Sequence, residues 1–299
     1  SVMNINSRIK QLLQISLVAI VLMSSGISVM AQTFDADNIA FGGINMPYRV
    51  AHTSGMGKPS LVIYLHGGTS KGNDNEKQMG EPGIDSIANY IKQQQMGVYF
   101  LVPQCPSDKS WGGPMLSVLK ALIDQYIMEG VVDKNNVYIF GGSMGGTGTW
   151  SMLSAYPGMF AAAMPVAGNP TKCDADKVAL TPVYTVMGTS DKIMSVESTA
   201  DFIDELNARN GTTKFDIEEG WTHEMTCIQS YTTQRLEWVF SHSKNSAGIE
   251  KRTTEDKDVV SMQYYATDGR RLAEPPSKGL YIMRCAYEDG TVKALKRIK

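Results

Sequence analysis

Between residues 60 and 240, short apolar runs alternate with longer stretches in which apolar residues recur every three or four positions. The runs at 60–65, 98–102, 136–140, 160–166 and 182–187 are apolar at nearly every position, as strands buried on both faces are. The stretches at 84–95, 116–128, 147–156, 195–210 and 231–240 read as helices. Ile84, Ile87, Ala88 and Ile91 make one apolar stripe; Phe202, Ile203 and Leu206 make another. Strand and helix alternating at this pitch predict an α/β fold, a mostly parallel central sheet flanked by helices. Residues 38–51, interrupted by Gly42, Gly43 and Pro47, and the alternating segment 214–218 read as strands at the sheet edges.

The two ends break this rhythm. Arg8 and Lys10 precede an apolar segment at 12–23, and Val29-Met30-Ala31 supplies the small residues of a cleavage site, so residues 1–31 are expected to be a secretory signal peptide. The apolar segment is short for a permanent span, and no second one follows; an exported protein without an integral membrane domain is expected. Residues 32–243 then form the main domain and 244–258 a polar linker. Residues 259–299 form a β-rich tail of three short strands with Asp-Gly turns at 268–269 and 289–290. So small a tail is expected to dock on something or to be removed.

Charge changes the picture little. Residues 1–243 carry 16 Lys and Arg against 22 Asp and Glu, and 244–299 carry 12 against 8, with the signs interleaved. No nucleic-acid partner is expected from this distribution. Cys105, Cys173, Cys227 and Cys285 can pair fully in three ways. Cys173 and Cys227, both in loops on one sheet edge, are the pair to expect if one forms; free thiols are the alternative. The cysteines lack zinc-site spacing, and no metal or cofactor is expected.

The candidate chemistry centres on the strand 136–140, which runs into Gly141-Gly142-Ser143-Met144-Gly145-Gly146 and then into a helix. Gly-x-Ser-x-Gly between a strand and a helix is the nucleophile-elbow pattern, in which a sharp turn lifts the serine hydroxyl clear of the sheet. A phosphate-binding reading of these glycines fails, because no Lys-Ser/Thr pair ends the loop. A serine nucleophile needs a base, an orienting acid and donors for the oxyanion. In this architecture the chain order is serine, acid, histidine. His223 follows the 214–218 strand in a loop and is the expected base; His242 reads as a cap on the last helix. Among Asp174, Asp176, Asp191, Asp201, Asp204 and Asp216, Asp191 leaves the carboxyl end of an interior strand and is the expected acid. Gly68, in the turn His66-Gly67-Gly68, and Met144 are the expected oxyanion donors. His66 precedes the serine and is assigned to loop structure.

Five motifs in order now resemble the α/β-hydrolases: Tyr64-Leu65-His66-Gly67-Gly68, Pro103-Gln104-Cys105-Pro106 with Trp111 beyond it, Gly141 to Gly146, Gly188-Thr189-Ser190-Asp191 and Trp221-Thr222-His223. Within that fold they are similar to the feruloyl esterases, polyhydroxybutyrate depolymerase-like esterases and the phospholipase/carboxylesterase group. The resemblance implies a serine carboxylic-ester hydrolase acting on small-molecule or polysaccharide-linked esters, such as feruloyl or acetyl groups. It also implies Trp111 as a wall of the substrate pocket, with packing under a loop as the alternative; Trp221 is a second pocket candidate. Residues 70–83, 105–114 and 168–177 are expected to set specificity. The tail, through Tyr265, Asp268 to Leu272 and Gly279 to Ile282, resembles the sorting domain of the Bacteroidetes type IX secretion route. Alternative readings are a serine peptidase of the prolyl-oligopeptidase type and a non-catalytic surface binding protein. The chain lacks the large gating domain common in the first, and its complete Ser, Asp and His set argues against the second.

Overall fold

The computed structural model describes residues 33–244, 259–266, 270–276, 278, 280–287 and 292–298. The expected signal peptide, residues 245–258 of the linker and both Asp-Gly turns lie outside them.

Eight strands form the central sheet: β1 (Asp35–Phe41), β2 (Ile44–Thr53), β3 (Ser60–Leu65), β4 (Val98–Pro103), β5 (Val137–Gly142), β6 (Ala162–Val166), β7 (Val183–Gly188) and β8 (Thr213–Glu218). Their spatial order is β1-β2-β4-β3-β5-β6-β7-β8. β1 pairs antiparallel with β2, and β2 with β4; every other neighbour pair is parallel. The segments read as edge strands are β1, β2 and β8.

The helices are α1 (Pro82–Gln93), α2 (Pro114–Met128), α3 (Met144–Ala155), α4 (Ala175–Val178), α5 (Val196–Ala208), α6 (His223–Gln229) and α7 (Thr233–Phe240). Successive side chains of a strand point to opposite faces, so each apolar strand feeds two cores. Leu61, Ile63, Leu65, Val137 and Ile139 pack with residues of α2, α3 and α5. Val62, Tyr64, Tyr138 and Phe140 pack on the other side with α1 and α7. Among the described residues, no helix is long and apolar enough to cross a membrane.

Two short helices replace expected loops. In α4 the Asp174 side chain accepts from the Asp176 N–H, and in α6 the Thr222 side chain accepts from the Met225 N–H. Each is an N-cap that satisfies a donor the first turn leaves open. α1 begins at Pro82, a proline at a position where its missing N–H costs nothing. The tail holds a second, antiparallel sheet of β9 (Val259–Ala266), β10 (Arg271–Leu272), β11 (Leu280–Tyr287) and β12 (Val292–Ile298), in the order β10-β9-β11-β12. Three strands were expected there. The fourth, β10, exists because Arg271 and Leu272 pair with Tyr265 and Tyr264.

The strand order reverses at β3, which has β4 on one side and β5 on the other. A crevice at such a reversal, outside the carboxyl ends of the strands, is where open α/β sheets hold ligands. It is closed tightly from behind. A Cβ on Gly145 would overlap the Leu65 carbonyl oxygen at the end of β3, and one on Gly141 would overlap the Gly145 carbonyl. Gly145→Ala is therefore expected to cost at least about 3 kcal/mol, a fall in melting temperature on the order of 10 °C. A melting curve within about 2 °C of wild type would contradict this close approach.

Candidate active site

β5 ends at Gly142, and Ser143 turns the chain into α3 with φ 58° and ψ −118°. A side chain bearing a Cβ rarely adopts positive φ, so the turn is strained and is held by its surroundings. The Ser143 N–H donates to Val166 O at 3.0 Å, and the Thr147 N–H donates to Ser143 O at 3.0 Å. The hydroxyl is thereby raised above the crevice between β3 and β5.

Two further side chains meet it. Asp191 lies in the turn after β7, its side chain fully buried. Its Oδ1 accepts from the N–H groups of Ile193 (2.8 Å) and Met194 (2.9 Å), while Oδ2 lies 2.8 Å from His223 Nδ1. An ionised carboxylate only accepts, so Nδ1 carries the proton and Nε2 presents its lone pair. Nε2 lies 2.8 Å from Ser143 Oγ. His223 is the first residue of α6, not a loop residue. The turns carrying the acid and the histidine are laced together: Thr189 N–H donates to Glu218 O, Ser190 N–H to Trp221 O, and Gly220 N–H to Thr189 Oγ1. The other carboxylates are engaged elsewhere or face solvent. Asp174 caps α4, Asp176 pairs with Arg209, Asp216 binds Tyr184 and Arg235, and Asp201 and Asp204 are exposed on α5. His242 places Nδ1 2.8 Å from Trp238 O at the end of α7.

Across the crevice, β3 leads into a 3-10 turn, Gly68–Ser70. Among the described residues the Gly68 N–H has no intrachain acceptor. Met144, the first residue of α3, has none in its own helix. His66 is fully buried beside them. Its Nδ1 lies 2.6 Å from Gly67 O and its Nε2 accepts from the Cys105 N–H at 2.9 Å, which fixes a neutral ring protonated on Nδ1. Burial lowers its pKa from 6.5 to about 4.

One expectation is corrected and one alternative is decided. Trp111 does not wall the cleft: it is 2% exposed, its Nε1–H donates to His66 O at 3.0 Å, and its Cβ occupies the space left free at Gly148. Gly148 takes the indole where a side chain would exclude it. Cys173 and Cys227 do not pair; each is a free thiol, as is Cys105. Burial pushes the Cys227 thiol up to about 12 and the Cys173 thiol to about 11, so both stay protonated near neutrality. Trp221 is partly exposed, and the Arg235 guanidinium sits 6.0 Å from its ring.

Sequence reading passed over two residues that brace this site. Arg235 of α7 is 6% exposed and ion-pairs with Asp216 and Glu218 of β8, below the turn that carries His223. Glu81 accepts from the Gly67 N–H at 3.0 Å and from Ser70 Oγ at 2.6 Å. Pro82 was the available signal for Glu81, since a proline opening a helix makes the residue before it a cap. Among the described residues, no group of three or more His, Cys, Asp or Glu could hold a metal ion.

Residues 108–251 match the dienelactone hydrolase family. A thermostable esterase of known structure is 28% identical with a TM-score of 0.65, over 70% of this chain and 63% of that one. The chain has the α/β-hydrolase fold. A feruloyl esterase module from Clostridium thermocellum, solved with sinapinate, shares that fold at 14% identity, with a TM-score of 0.57 over 71% of this chain and 89% of the module. In sequence, poly(3-hydroxyalkanoate) depolymerase C of Paucimonas lemoignei is 32% identical over 139 residues, 42% of this chain but only 31% of the depolymerase.

The neutral, buried His66 gives this chain a pH signature. The unfolded chain takes up a proton near pH 6.5, whereas the folded one does so only near pH 4. Stability from this group is complete above pH 6.5 and is lost as pH falls towards 4, by about 3 kcal/mol in all. Urea unfolding followed at pH 4 to 7 is expected to show this slope in the wild type and a flatter one in His66→Gln.

Proposed function

We propose that this chain is an exported serine carboxylic-ester hydrolase that works through an acyl-enzyme. The observation that carries the reading is the pair of 2.8 Å contacts that link Ser143, His223 and Asp191 in line on a strained elbow. His223 Nε2 takes the proton of the Ser143 hydroxyl as Oγ attacks the ester carbonyl carbon. The Gly68 and Met144 N–H groups receive the oxyanion. As the tetrahedral intermediate collapses, His223 returns the proton to the departing alcohol. Water then attacks the acyl-enzyme by the same route, with His223 again as base. Asp191 keeps the proton on Nδ1 and stabilises the imidazolium.

The substrate class we favour is the feruloyl or acetyl ester of plant polysaccharides, supported by the five motifs and by the fold shared with a feruloyl esterase module. Trp221 is the aromatic residue we retain as a pocket wall. Residues 32–243 would be the catalytic domain and 259–299 an export or sorting element. Export rests on the Arg8, Lys10 and Ala31 pattern of the first 31 residues.

Ser143→Ala is expected to lower kcat on short p-nitrophenyl esters and methyl ferulate by about 10³-fold or more, and to abolish fluorophosphonate labelling. Turnover equal to wild type would sink the proposal. Asp191→Asn retains the side-chain volume but leaves the imidazole in the wrong tautomer. It is expected to cost kcat about 10²–10⁴-fold with KM little changed.

A further inference from the structure

We infer that Glu81 is a positioning residue for the oxyanion hole; the inference rests on the serine-hydrolase reading above. Glu81 is half-buried and occupies the N-cap position of α1, where its side chain makes no hydrogen bond to the helix and is free to reach the turn after β3. Its Oε1 takes two hydrogen bonds from the turn after β3, one from the Gly67 N–H at 3.0 Å and one from the Ser70 hydroxyl at 2.6 Å. These donors lie on either side of Gly68 in sequence. The carboxylate therefore clamps the turn around the residue whose N–H is to receive the oxyanion, and bonds to an ionised acceptor are the stronger kind.

The clamp also decides which amide is available. The Gly67 N–H is committed to Glu81 and cannot serve substrate. The Gly67 carbonyl is held by His66 Nδ1–H at 2.6 Å and by the Ser70 N–H at 3.3 Å. In a trans peptide the C=O and the next N–H point in opposite directions, so holding the Gly67 carbonyl inward turns the Gly68 N–H away from it. The preceding peptide is fixed at both ends as well, its carbonyl by Trp111 Nε1–H at 3.0 Å and its N–H by Glu81. Of these braces Glu81 alone is a carboxylate, and it reaches the turn from the start of α1. A site on Gly67 where a Cβ would sit is 3.7 Å from Ser143 Cβ and 3.5 Å from Glu81 Oε1, so the carboxylate acts within one residue's width of the nucleophile.

The test compares Glu81→Ala, Glu81→Gln and Ser70→Ala with wild type. It reads kcat and KM on a short p-nitrophenyl ester and the affinity of a trifluoromethyl ketone, whose tetrahedral adduct places an oxyanion in the hole. Glu81→Ala is expected to lower kcat about 10–100-fold with KM within about twofold, and to weaken the ketone by the same factor as kcat/KM. Glu81→Gln, which keeps an acceptor for both donors, is expected to recover most of that loss. Ser70→Ala removes one donor, leaves the carboxylate in place and is expected to fall between them; it carries the test if Glu81→Ala does not fold. Unchanged kcat and ketone affinity in Glu81→Ala, or in Ser70→Ala if that variant must stand in, overturns the inference. So does a loss confined to KM, or a Gln variant as impaired as Ala. Wild-type protein that a fluorophosphonate fails to label at Ser143 overturns the serine-hydrolase reading and this inference with it; a labelled wild type with an unimpaired Glu81→Ala overturns this inference alone.

Discussion

The backbone of Gly145 lies against the carbonyl oxygen of Leu65, at a separation that leaves no room for a side-chain carbon. This contact brings the first turn of α3 against the end of β3. Ser143 is thereby held beside the turn after β3, its Cβ 3.7 Å from where a Cβ on Gly67 would sit. Two other glycines extend the principle. Gly146 fits against the Val166 carbonyl at the end of β6, and Gly188 against the Trp221 carbonyl before α6. Backbone packed on backbone leaves little freedom to relax, which is how a serine can be kept at positive φ in the folded state.

Around that centre the support is polar and buried, with partners for both His66 nitrogens and for both Asp191 carboxylate oxygens, while the Tyr64 hydroxyl beside Gly142 is left unpaired among the described residues. His66 is neutral because it is desolvated and because each of its nitrogens has one partner of the right kind. Trp111 ties off the His66 carbonyl, and Asp191 spends three of its acceptor positions on His223, Ile193 and Met194. A buried group left unpaired costs more than a formed bond contributes. Such networks consequently specify one arrangement rather than merely adding stability.

The large features of the fold were legible because they follow from periodicity. Val137 to Phe140 could only be a strand buried on both faces, and the order of Ser143, Asp191 and His223 along the chain matched the sheet edges from which they emerge. What escaped reading has a common cause: it depends on where a side chain ends rather than on which element it starts from. Trp111 sits just beyond a strand on the correct sheet edge, yet its indole turns inward because Gly148 leaves a slot for it. Glu81 looked like one more charge in a polar loop, since no spacing rule links it to Gly67 and Ser70. Arg235 presented as a polar residue on a terminal helix, and its burial follows from Asp216, Glu218 and Tyr184 converging on it from neighbouring strands. Thr222 was the readable exception, a helix cap passed over beside a more conspicuous histidine.

The Arg235 cluster has a consequence for the order in which the molecule is completed. His223 opens the penultimate helix of the sheet domain, and the turn leading to it leans on a guanidinium supplied by the final helix. A ribosome delivers the serine and the aspartate long before it delivers that helix. In the proposed serine-hydrolase reading, a chain without residues 233–240 holds Ser143 and Asp191 but lacks the guanidinium that braces the strand leading to His223. On that reading the last helix of the sheet domain is what completes the support of the base.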